Sequence, residues 1–152
     1  MIFSQARGLH THRESRINVD GMEKTLEMQE KDFKGLCFVN LVDFDMMYGH
    51  RNDIEGYANA ATVFDRQLKT FLERMRPEDI LMITADHGCD PGFRGTDHSR
   101  EHTPLLICGE DIKENVNLGT RETFADIAAT VLDLLHVENN TDGTSMKELI
   151  IK

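Results

Sequence analysis

The stretch LCFVNLVDFD, Leu36 to Asp45, follows Gly35 and decides the reading of the chain. It is apolar from Leu36 to Val42, broken only by Asn40, and it ends in Asp43-Phe44-Asp45. A continuous apolar run of this length predicts a strand covered on both faces, as in a parallel sheet. Downstream, Ile54, Tyr57, Ala58, Ala61, Phe64, Leu68, Phe71, Leu72 and Met75 recur at spacings of three and four, the stripe of an amphipathic helix that Pro77 stops. Asp53 reads as its N-cap. ILMITA (Ile80 to Ala85) predicts a second buried strand and PLLIC (Pro104 to Cys108) a third. Between them, residues 86 to 103 are rich in Gly, Asp, His and Arg and read as a long loop, of a length that is usually functional or disordered.

Phe124, Ile127, Ala128, Val131, Leu132 and Leu135 predict another long helix, with Thr120 or Thr123 as its cap. Shorter helices are expected over Met22 to Lys31 and Ser145 to Ile151. Helices alternating with apolar strands imply an α/β domain with a largely parallel sheet and flanking helices, spanning residues 1 to 152 without internal repeats.

Composition narrows the function. The 152 residues carry 17 Lys plus Arg against 27 Asp plus Glu, a formal charge of −10. Binding to nucleic acid or to an anionic membrane surface needs a basic face, so neither is expected. No apolar run nears the roughly 18 residues of a membrane span, and His10, Arg13 and Glu14 interrupt any signal-like start, which predicts a cytoplasmic protein. Cys37, Cys89 and Cys108 are odd in number and widely spaced, so they are read as reduced, with Cys37 and Cys108 as small core residues in strands.

The polar residues gather where the predicted strands end. Loops at the carboxyl edge of a parallel sheet converge and are free of packing duties. One strand ends in Asp43-Phe44-Asp45 with His50 close behind; the next ends in Asp86-His87, with His98 and His102 in the loop that follows. Carboxylate oxygens and imidazole nitrogens without thiolate suit Mn²⁺, Zn²⁺ or Fe²⁺ better than Ca²⁺. Gly88 eases the turn that would let Asp86 and His87 face one ion. Taken singly, Asp43 or Asp45 is equally a turn or helix cap, and Arg51, Arg94 and Arg100 are equally surface ion pairs or phosphate ligands. His10, His12 and His136 belong to no carboxylate constellation and are read as surface residues; Met46, Met47, Met75 and Met82 are read as packing.

These residues resemble a known family. TADHG (Thr84 to Gly88) resembles the metal-binding segment of the alkaline phosphatase superfamily, which includes cofactor-independent phosphoglycerate mutases and phosphopentomutases. More narrowly, NLVDFD (40–45) with YGHR (48–51), TADHGCDP (84–91), GTDHSRE (95–101) and PLL (104–106) are similar in order and spacing to the phosphopentomutases. IFS (2–4) and NVDGMEKT (18–25) extend the resemblance over essentially the whole chain.

The resemblance implies an alkaline-phosphatase-like core. It also implies interconversion of ribose or deoxyribose 1-phosphate and 5-phosphate through a phosphorylated threonine beside two Mn²⁺ ions. By it, Asp45, His50 and His98 hold one ion while Asp86 and His87 help hold the other, and His98, not His102, takes the third histidine's place. An earlier core strand with a further aspartate, the threonine and the sugar-binding cap have no counterpart among these residues. The resemblance thus implies a carboxyl-terminal part of the core, marginally folded and with little mutase activity alone. Two other readings stand beside this one: another metal-dependent enzyme of the superfamily, such as a phosphoglycerate mutase or phosphodiesterase, and a non-catalytic metal-stabilised fragment needing a partner chain. The oligomeric state is not legible.

Overall fold

The computed structural model describes residues 17–152 in full and residues 2–4 as backbone. His10 and His12 lie outside the described residues. The elements run β1 (Ile2–Ser4), α1 (Asn18–Gln29), β2 (Gly35–Cys37), α2 (Ile54–Glu73), β3 (Ile80–Thr84), β4 (Leu105–Cys108), α3 (Ala125–Leu134) and α4 (Lys147–Ile150). A single π-helical turn (Phe44–Tyr48) and a 3₁₀ turn (Gly49–Arg51) lie between β2 and α2.

β3 is the centre of the molecule, and its side chains alternate between two cores as a pleated strand requires. Leu81 and Ile83 pack with Met22 and Leu26 of α1 and with Phe64, Leu68 and Phe71 of α2. Met82 and Ile80 pack on the other face with Ile127 and Val131 of α3 and Ile150 of α4. Helices therefore cover both faces, and the expected α/β layering holds around this strand.

The expectation of a largely parallel sheet is corrected. The order is β2-β1-β3-β4, and each neighbouring pair among the described strands is antiparallel. Parallel neighbours need a crossover, usually helical. The connection from β3 to β4 has no helix and folds back on itself through a bridge between Gly88 and Ser99. α2 does carry the chain across, so β2 and β3 run the same way, but β1 lies between them, with Ile2 opposite both Cys37 and Leu81.

The predicted long strand from Leu36 to Val42 is also shorter than expected. Only residues 35–37 pair, and Leu36 and Phe38 are exposed while Cys37 and Val39 are half-buried, so one face alone is covered. Cys108, expected in the core, is exposed at the end of the edge strand β4; Cys37 does pack in the α1/α2 core, and all three cysteines are free.

Local chemistry explains the helix ends. Asp53 accepts a hydrogen bond from the Gly56 N–H at 2.8 Å, so it caps α2 as read. The Thr123 hydroxyl, not Thr120, accepts from the Ala125 N–H at the start of α3. α1 begins earlier than predicted, at Asn18, because a distant residue supplies its cap. The Asp43 carboxylate accepts from the Asn18 N–H (2.8 Å) while the Asn18 side-chain oxygen accepts from the Asp43 N–H (2.9 Å). At the other end, the Arg76 guanidinium donates to the carbonyls of Gln29 and Lys31, a cation on the last carbonyls of α1.

The carboxyl-terminal region is tied by two carboxylates. Asp126, buried in the first turn of α3, accepts from the Thr144 N–H and from Arg121. These bonds hold its carboxyl below the ordinary range, Thr144 contributing most, although burial opposes them. Asp133 accepts from the Ser145 hydroxyl and the Lys147 ammonium, which lower it likewise. Thr130, fully buried, accepts from the Met146 N–H and completes the seam.

Candidate metal centre

The segment after β2 does not continue as a strand but winds into the π turn, and Asp45 lies on it. π-helical turns are rare and tend to sit at functional sites. The 3₁₀ turn follows directly and carries His50, so Asp45 and His50 share one short, tightly wound segment. Gly49 between them is buried, and a Cβ there would press on the Phe44 carbonyl oxygen and the Cys89 sulfur, which is why the turn can lie against the loop after β3.

That loop brings His98. Its Nε2 lies 3.4 Å from Asp45 Oδ1, and His50 Nε2 lies 3.3 Å from Asp45 Oδ2. One ligand atom from each of Asp45, His50 and His98 falls within 4.8 Å of the others. Asp45 Oδ1 is buried without a hydrogen-bond partner among the described residues. A carboxylate whose two oxygens each face one imidazole nitrogen, Oδ1 without a hydrogen bond, fits a divalent cation of intermediate hardness.

The imidazoles are oriented for such a role. His50 Nδ1 bonds the Thr96 carbonyl, and His87 Nδ1 bonds the Gly88 carbonyl at 3.0 Å. A carbonyl only accepts, so Nδ1 is the donor in both rings and Nε2 is the nitrogen left to face a ligand. The His87 ring stacks on His98 with centroids 3.6 Å apart, and its Nε2 lies 3.6 Å from Asp86 Oδ1. Asp86 itself is largely exposed, at the open side of the cluster.

The five residues singled out from the sequence thus occupy one neighbourhood, three as a compact triad and two beside it. Gly88 takes no left-handed conformation; a Cβ there would meet Glu101 N and Ser99 O at 2.7 Å, so its role is close approach of the two loop limbs. Asp43 is a helix cap. His102 and Arg100 are exposed and, with His87, line a cavity of about 940 Å³ beside β4. His136 is exposed just past the end of α3, as read.

Negative charge dominates the electrostatics. Burial first, then the carboxylates of Asp45, Glu101 and Asp90, push the Cys89 thiol up, so it stays a neutral thiol. Tyr57 is raised by burial and by Cys89 and Asp45. Asn52 and Thr96 escaped the sequence reading, because a backbone carbonyl and an amide on a turn carry no motif. The one signal in the sequence was an asparagine directly after the His50-Arg51 turn, a residue that tolerates left-handed backbone.

The chain is 60% identical over 138 residues to the phosphopentomutase of Lachnoclostridium phytofermentans, an overlap of 91% of this chain and 35% of that protein. It is 55% identical over 139 residues to the phosphopentomutase of Acetivibrio thermocellus (91% and 36%), and 55% identical over 144 residues to that of Kosmotoga olearia (95% and 37%). The chain therefore spans little more than a third of the length of the curated relatives it matches. Among the described residues no helix is long and apolar enough to cross a membrane. Residues 6–139 match the model of the metalloenzyme superfamily, and the chain, with its carboxylate–imidazole cluster between two loops, belongs to that superfamily.

Proposed function

We propose that this chain provides the metal-binding part of a phosphopentomutase, which interconverts ribose or deoxyribose 1-phosphate and 5-phosphate through a phosphothreonine. The observation that carries the reading is the Asp45–His50–His98 cluster with its orphaned carboxylate oxygen. In this reading Asp45, His50 and His98 hold one Mn²⁺, and Asp86 with His87 help hold a second. Manganese supplies the positive charge that a phosphoryl group needs at a site on a chain of net charge −10. The chain's own part is to orient: Thr96 and Gly88 fix the two imidazoles, and the close approach at Gly49 keeps Asp45 against the loop.

The phosphorylated threonine and the sugar-binding cap belong, in this reading, to the part of the relatives that these residues do not span. The isolated 152 residues then bind metal but turn over little or no pentose phosphate, because no protein group accepts the phosphoryl. The small-molecule partner is a pentose phosphate in the cytoplasm, not a nucleic acid or a membrane.

A chimera tests the assignment. These residues replace the matching third of the Lachnoclostridium phytofermentans phosphopentomutase, and the product is assayed with Mn²⁺ on ribose 1-phosphate and on 3-phosphoglycerate. Turnover of ribose 1-phosphate alone supports the reading. Turnover of 3-phosphoglycerate instead, or clear mutase activity of the 152 residues alone, would overturn it.

A further inference from the structure

We propose that Asn52 is a positioning residue of the metal centre: it latches the loop that carries His98 onto the turn that carries His50. The inference rests on the metal-centre reading above and assigns a role to a residue that does not itself face the cluster.

Asn52 ends the 3₁₀ turn with left-handed backbone, φ 53° and ψ 31°. From there its side-chain amide donates to three carbonyls of one loop: Pro91 at 3.2 Å, Phe93 at 2.9 Å and Gly95 at 2.9 Å. An amide NH₂ has two hydrogens, so the three oxygens share them. Their convergence on one nitrogen fixes the curvature of residues 91–95.

The rest of the loop is tied elsewhere. The Gly88–Ser99 bridge and the Asp90 N–H to Ser99 hydroxyl bond close its base. Bonds from Asn52 and from His50 to Thr96 join its tip to the turn. His98 lies between tip and base. Among the described residues no hydrogen bond orients its ring, whose neighbours are Asp45 and the rings of His50 and His87. The place of His98 is therefore set through the backbone of its loop, and Asn52 makes three of the bonds that set it.

Asparagine suits both demands. It adopts left-handed backbone more readily than most residues, and its short amide reaches the loop. Glycine would keep the backbone and lose the latch. Alanine would lose both, so Asn52→Gly isolates the side chain's contribution.

The test uses Mn²⁺ itself. Binding to the 152-residue chain is measured by titration calorimetry for wild type, N52G, H98A and the double variant, and amide hydrogen exchange over residues 91–98 is followed without metal. Groups that position ligands are worth about 10- to 100-fold in metal affinity, so N52G is expected to weaken Mn²⁺ binding about tenfold and to speed exchange in that segment. In the H98A background N52G is expected to cost nothing further, the signature of a residue acting through His98. Wild-type affinity in N52G, or an undiminished penalty in the H98A background, would overturn the latch while leaving the metal centre standing. A wild-type chain whose Mn²⁺ binding H98A does not weaken would sink the metal-centre reading and the latch with it.

Discussion

The carboxyl-terminal seam and the metal loops are both built from aspartates, and they use them in opposite ways. Along the seam, Asp126 and Asp133 have their oxygens taken by Thr144, Arg121, Ser145 and Lys147. In the loops, Asp45 is held in place by the π turn but its Oδ1, 3.4 Å from His98 Nε2, has no hydrogen bond among the described residues. Buried polar groups cost stability unless satisfied, so the first arrangement holds the fold together and the second leaves an acceptor that a cation can satisfy. Satisfaction of hydrogen bonds, more than acidity, separates the seam carboxylates from the carboxylate of the proposed metal centre.

The largest break in that comparison lies in the core both regions depend on. Phe71 is 1% exposed between α1, α2 and β3, and Phe71→Ala is expected to cost about 3–5 kcal/mol in urea unfolding, enough to abolish a marginal fold. Asp126→Ala comes next, at about 2–4 kcal/mol, because it leaves the Thr144 N–H and a partly buried Arg121 without their acceptor. An Asp126→Ala chain as stable as wild type would show that the seam is not held as described.

Metal sharpens the comparison from the other side. At a hundred times its dissociation constant, Mn²⁺ is expected to stabilise the wild-type chain by about 2.7 kcal/mol. Asp45→Ala removes that gain. Without metal, the same variant is expected to change stability by less than about 0.5 kcal/mol, since it deletes an oxygen without a hydrogen bond together with two part-exposed contacts, to His50 and His98, that contribute little. Thermal melts of both chains with and without Mn²⁺ check this, and a large loss for metal-free Asp45→Ala would mean that Asp45 is a structural residue.

Acid separates the two regions most gently. The Asp126 and Asp133 carboxyls are lower in the folded chain than their ordinary value near about 3.9. A depressed folded value means that the unfolded chain binds more protons in the acid range. The stability these groups contribute is therefore fully present above the ordinary carboxyl range and is lost as pH falls through the lowered folded values. Urea midpoints followed downward from pH 6 should show a decline that is shallower in Asp126→Asn.

Much of this was readable before the fold was known, and the limits have physical causes. The stripe of α2 and its Asp53 cap depend on neighbours three and four residues apart, so sequence order displays them directly. β3 was legible as a run apolar on both faces. The shortness of β2 was not, because the same apolar letters serve an edge segment with Leu36 and Phe38 exposed. The start of α1 was misplaced since its cap, Asp43, lies 25 residues away. The side chains of the cluster stood out as residue types at strand ends. Asn52 did not, because its three partners are backbone carbonyls that any sequence possesses.

By itself, then, the order of amino acids determined which segments are helical, where the central strand runs and which side chains carry donor atoms suited to a metal. Those properties arise from periodicity and from the donor atoms themselves. Only the tertiary structure decided that β1 enters between β2 and β3, that the sheet is antiparallel, and that Asp45, His50 and His98 meet within 4.8 Å. Each of these depends on pairing between residues distant in the chain, which no local pattern encodes.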